Sequence, residues 1–177
     1  MGIVRSAAAA GLAALVAAGC ATRPAAVDPT AWTSGRLAVQ VEAGAERPAS
    51  SLSADFDLRG DGRQGELVLT STLGTRIARA RWTVDEAVLD AGQGEVRYPD
   101  LETLSREALG EALPLRALPS WLAGRAWDQA PSLPRDGGFG QLGWAVDLSD
   151  FGAGRVQAVR AAPPRVVVRV RLERPAT

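Results

Sequence analysis

From residue 32 onward, apolar and polar side chains alternate with a period of two over most of the chain. Leu37, Val39 and Val41 alternate with Arg36, Ala38 and Gln40, and Leu52, Ala54, Phe56 and Leu58 alternate with Ser51, Ser53, Asp55 and Asp57. Successive side chains of a strand point to opposite faces, so these runs predict strands with one apolar and one wet side. Residues 66–70 give a third strand, and 75–84 a fourth in which Ala78, Ala80, Trp82 and Val84 oppose Ile77, Arg79, Arg81 and Thr83. Short strands around 87–90 and 95–98 follow, divided by Gly92-Gln93-Gly94. The polar intervals 42–50 and 60–62 read as hairpin connections, which makes this half of the chain an antiparallel meander.

The period then lengthens. Asp100 is placed to cap a helix whose Leu101, Leu104, Ala108 and Leu109 share one side, with Gly110 as its stop. Pro114 opens a second predicted helix in which Leu115, Leu118 and Leu122 share a face, ending at Gly124. Helices this short are marginal alone and need a sheet to pack against. Residues 130–140, rich in Pro and Gly, read as a loop, and strands return at 141–148, 155–159 and 165–172. The last sets Val166, Val168, Val170 and Leu172 against Arg165, Arg169 and Arg171, with Val167 interrupting the charged side. Strands on both sides of a helical insert predict a mainly β fold with α. The expected form is a strongly curved antiparallel sheet, a half-barrel, covered by short helices and closing on a solid core or an apolar cavity.

Residues 1–31 lie outside this pattern. Arg5 precedes an Ala-, Leu- and Val-rich run over 7–18, then Gly19-Cys20. That is the layout of an export signal over residues 1–19, its middle being shorter than the about 20 apolar residues that span a bilayer. Cys20 is the only cysteine of the 177 residues and sits at the expected cut. Val16-Ala17-Ala18-Gly19-Cys20 resembles the bacterial lipoprotein box, with Ala17 where Leu is usual. The expected modification is therefore a covalent lipid on Cys20, diacylglycerol through a thioether plus an N-acyl chain. Residues 20–31, with two prolines and no apolar period, read as a tether, and residues 32–177 as a single domain.

Composition narrows the chemistry. Twenty arginines balance twenty acidic residues, and no basic stripe interleaved with aromatics marks a nucleic-acid surface. With no histidine and one cysteine, a His/Cys zinc site, a Ser-His or Cys-His pair and a histidine base are excluded by inventory. No catalytic residue, metal or cofactor is expected. Two features remain as binding candidates. Residues 69–75 form a loop with Leu73 at its tip before Gly74, and leaving a leucine exposed forgoes roughly 1.5–3 kcal/mol of transfer free energy, so either the loop folds back or a membrane or partner covers it. Alternation and helix face assign Leu37, Val39, Phe56, Leu58, Leu67, Leu69, Trp82, Trp121, Trp144 and Val168 to an apolar interior. A one-residue slip in register would invert any strand's share of that set.

Several blocks, in order, resemble the LolB family: Gly19-Cys20, WTSGRLAV at 32–39, LVLTSTLGT at 67–75, LPLRALPSWLAG at 113–124 and LGWAVDL at 142–148. Thr72 stands where relatives often have Pro, and the closing strand ends Leu172-Glu173-Arg174-Pro175 where many end in Trp. The resemblance implies an open eleven-stranded half-barrel holding acyl chains, and a protruding loop, here Leu73 and Gly74, that delivers cargo into the membrane. It implies a lipid-anchored monomer on the periplasmic face of the outer membrane. Its partners would be a LolA-like periplasmic carrier, acylated lipoprotein cargo and outer-membrane phospholipid. The implied activity is non-enzymatic: it accepts lipoproteins from LolA and inserts them into the inner leaflet. A structural outer-membrane lipoprotein with a solid core, scaffolding an envelope complex, is the alternative of a different class.

Overall fold

The computed structural model describes residues 28–44 and 48–173; the signal, Cys20 and most of the tether lie outside the described residues. The meander predicted for the first half forms as β1 (Thr33–Val41), β2 (Ser50–Gly60), β3 (Gly65–Thr70), β4 (Arg76–Trp82), β5 (Ala87–Asp90) and β6 (Glu95–Tyr98). Two helices follow, α1 (Leu101–Leu109) and α2 (Leu118–Leu122), then β7 (Ser132–Arg135), β8 (Gly138–Gln141), β9 (Trp144–Asp147), β10 (Arg155–Arg160) and β11 (Val166–Leu172). Among the described residues the eleven strands make one antiparallel sheet, in the order β6-β5-β4-β3-β2-β1-β11-β10-β9-β8-β7. The N- and C-terminal strands meet at its centre, where Leu37 pairs with Val170 and Val39 with Val168.

The half-barrel expectation is corrected here. The sheet is open, neither closed nor strongly curled, and the fold is a mixed α/β arrangement of one sheet with helices on one face. Closure would need β6 and β7 to exchange backbone hydrogen bonds, and these edge strands are only four residues long. In β7 all four residues are exposed and Pro134 removes a donor, so the edge is blunted against pairing. The helices and their connections bury the apolar face, and the sheet need not roll up to do so.

Local chemistry explains the helices. Asp100 has an extended backbone and accepts the Thr103 N–H at 2.7 Å, while Gly110 ends α1 in the left-handed region. The second helix is shorter than its leucine spacing predicts. Pro119 has no N–H to donate, so it sits in the first turn of α2, and residues 115–117 are turns before it. The stretch read as a Pro/Gly loop carries the β7–β8 hairpin. At Gly138 a Cβ would lie 2.0 Å from the Val146 carbonyl oxygen, so the glycine permits close approach of β8 to β9. Sequence pattern missed this hairpin because it has almost no large apolar side chain to alternate.

Candidate functional site

Between the apolar face of the sheet and the helices lies a cavity of about 290 Å³. Of the ten residues assigned to the interior, Leu37, Val39, Phe56, Leu67, Leu69, Trp121, Trp144 and Val168 line it. Leu58 and Trp82 do not: both are buried in the solid part of the core. Trp82 packs on Gly65 and donates its indole N–H to the Asp61 carbonyl at 3.2 Å, so its bulk plugs the β2–β3 turn end. The alternation placed both on the apolar face; what it could not show is that this end is filled.

Residues outside that set of ten complete the walls. Val156, Ala158 and Val170 come from β10 and β11, and Leu104, Leu113, Leu118 and Leu122 from the helical layer. Ile77, expected on the wet side of β4, lines the cavity as well. Among the described residues Ser105 is the one polar side chain in the lining, and its hydroxyl is already engaged. It accepts the Leu113 N–H at 2.9 Å and donates to the Glu102 carbonyl at 3.0 Å.

The aromatic wall is held from behind. Trp121 lies with its ring centroid 6.3 Å from those of Phe139 and Trp144. Its indole N–H donates to Gln141 Oε1 at 2.8 Å, and the same oxygen accepts the Trp127 N–H at 2.9 Å. Gln141 Nε2 donates to the carbonyls of Trp127 and Ala130, at 2.7 and 2.8 Å. All the polar capacity of a buried amide is thus used to fix Trp121 and the chain after α2. A lone Gln before Leu142-Gly143-Trp144 was the available sequence signal. On the other side of Trp144, Arg160 stands 5.8 Å from its ring and bonds Glu111 at 2.6 Å, tying the α1–α2 connection to β10.

The wet face is ionic. Glu66, although buried, is clasped by Arg59 at 2.6 Å and by Arg79. Burial opposes its ionisation, but the hydrogen bonds from Arg79 and Arg59 prevail and hold its carboxyl below the usual range. Arg59 also stacks 4.6 Å from the ring of Trp32, where the chain enters β1.

The loop between β3 and β4 projects Leu73, which is 91% exposed. Ser71 organises it: its N–H donates to the Thr75 carbonyl at 2.8 Å, and its hydroxyl accepts the N–H groups of Leu73 and Thr75 at 3.3 and 3.2 Å. Gly74 takes φ +81°, the left-handed turn that a side chain disfavours. The tip is therefore braced without a proline at position 72.

A cavity walled by Leu, Val, Phe and Trp, with its single hydroxyl engaged, has the chemistry of an apolar-ligand site, and the fold and site define a class: an open antiparallel sheet with an apolar pocket beneath its helices. Comparison with known proteins makes this specific: the family described as "Outer membrane lipoprotein LolB" matches residues 31–174, and the chain belongs to that family. It is similar to the outer-membrane lipoprotein LolB of Bordetella petrii, 38% identical over 189 aligned residues that cover 97% of this chain and 94% of the relative. The LolB of Thiobacillus denitrificans is 35% identical over 150 residues, covering 76% and 77%. That of Shewanella baltica is 30% identical over 134 residues, covering 69% and 60%.

Proposed function

We propose that this protein takes acylated lipoproteins from the periplasmic carrier LolA and inserts them into the inner leaflet of the outer membrane, holding acyl chains in the cavity between sheet and helices. The observation that carries this reading is the apolar cavity between sheet and helices, in a chain of the LolB family whose β3–β4 loop leaves Leu73 exposed. Transfer needs no covalent step. An acyl chain in water costs about 0.8 kcal/mol per CH₂, so the cavity lowers that cost in transit and a bilayer lowers it further. At about 290 Å³ the cavity lies near the lower bound of the roughly 300–1,000 Å³ range of ligand pockets.

In this reading residues 1–19 are removed, Cys20 carries diacylglycerol and an N-acyl chain, and residues 20–31 tether a monomeric domain to the periplasmic face of the outer membrane. Leu73 and Gly74 form the element that enters the leaflet of phospholipid. The test is transfer of a triacylated lipoprotein from loaded LolA to the purified domain and on to liposomes. Acceptance by the wild type, with Leu73→Glu accepting equally but inserting more slowly, is the expected result. Failure to accept would overturn the carrier role, and equal insertion by both forms would remove the loop from it.

A further inference from the structure

The register of β3 with β4 breaks between Leu69 and Thr70. Leu67 and Leu69 pair with Ala80 and Ala78, whereas Thr70 pairs with Arg76. One residue of β4, Ile77, is therefore left without a partner on β3: a β-bulge. Strict alternation would put Ile77 on the ionic face with Arg79 and Arg81. The bulge turns it the other way, and Ile77 and its neighbour Ala78 both line the cavity. Bulges re-aim a side chain in this manner at rims and functional sites.

Its place in the lining is distinctive. Among the described residues, the exposed members of the cavity wall are Ile77, Ala91 and Ala108, which mark where the cavity meets solvent, between the start of β4, the β5–β6 turn and the last turn of α1. Ile77, 37% exposed, is the only bulky one. It is also four residues from Leu73, hence within about 14 Å of it along the chain. One leaflet contributes half of a hydrocarbon core about 30 Å thick, so a tip immersed in the leaflet brings this mouth to the membrane surface.

We infer that Ile77 is the sill of the cavity, the apolar surface that acyl chains cross between the interior and the Leu73 loop. The inference rests on the acyl-carrier reading and adds a positioning residue and a route to it. A sill governs passage in both directions and leaves the occupied state alone. Its signature is a change in exchange rate at constant affinity.

The experiment is stopped-flow exchange of a neutral fluorescent diacylglycerol with the purified domain, on Ile77→Glu, Ile77→Thr, Ile77→Val and, as control, Val84→Glu. Val84 is an exposed valine just beyond the other end of β4. A carboxylate on the route should slow association and dissociation together by about tenfold, with Kd within about twofold of wild type. Ile77→Thr should show a smaller slowing in the same direction, and carries the test if the Glu variant fails to fold. Val84→Glu should exchange like wild type, and Ile77→Val, which keeps an apolar side chain at the sill, should slow exchange less than Ile77→Thr. Unchanged rates in Ile77→Glu and Ile77→Thr, a weakened Kd at unchanged association rate, or equal slowing in Val84→Glu would overturn the inference. Failure of the wild type to accept lipoprotein from LolA, with probe exchange intact, would instead overturn the carrier reading.

Discussion

Filling the cavity separates a lipid carrier from a scaffold with a solid core. Ala80 lies on β4, buried, facing the cavity between its paired neighbours Leu67 and Leu89. Ala80→Leu adds three carbons to a space of about 290 Å³ that the native side chains leave open. At about 0.8 kcal/mol per buried CH₂, those carbons can add up to ~2.4 kcal/mol of stability, and they displace a similar length of acyl chain. Displacement on that scale weakens acyl binding by up to about 60-fold. Titration with the neutral diacylglycerol probe and urea unfolding measure the two effects on the same sample. The expected result is an undiminished or raised midpoint with markedly weaker binding. An overpacked solid core would do the reverse, losing about 1–3 kcal/mol of stability, and that loss, or unchanged probe affinity in a folded variant, would refute the reasoning.

Gln141→Leu should destabilise the domain by more than about 3 kcal/mol, since several buried groups lose their partner at roughly 1–3 kcal/mol each; urea unfolding would show this, with altered near-ultraviolet dichroism from Trp121. Glu66→Gln should cost about 1–3 kcal/mol at neutral pH. Because the native carboxyl ionises below its unfolded value, its stabilisation is complete above about pH 4.3 and fades as pH falls through the lowered value. The gap between wild type and Glu66→Gln should therefore narrow in acid, and a gap constant with pH would contradict the ion-pair account. Asp100→Ala removes the cap on Thr103 and should cost about 1 kcal/mol, with Asp100→Asn or Asp100→Ser retaining most of the stability; thermal unfolding distinguishes them.

Much of this architecture is legible where side chains differ sharply in polarity. From Val168 onward the valines and arginines of β11 alternate, and the Asp100 and Gly110 caps bracket α1 as their chemistry predicts. Legibility fails where information lies in the backbone. Gly138 and Gly140 carry no pattern, so the β7–β8 hairpin reads as loop, and the sheet's openness depends on edge strands whose pairing no periodicity encodes. The cavity is partly readable for the same reason. Alternation finds the apolar face, yet the end that Trp82 fills and the mouth that Ile77 enters are set by a turn and a one-residue bulge. Val167 shows the limit in miniature: the one apolar residue on the arginine side of β11 is itself 3% exposed.

The most direct test of the acyl-binding claim places a photoreactive side chain at Phe56 on the cavity wall and, separately, at Val68 on the opposite face of the sheet, and irradiates each with acylated and unacylated cargo. The account predicts an adduct from position 56 with acylated cargo alone and none from position 68. Adducts that ignore acylation, or that form equally from both faces, would contradict it.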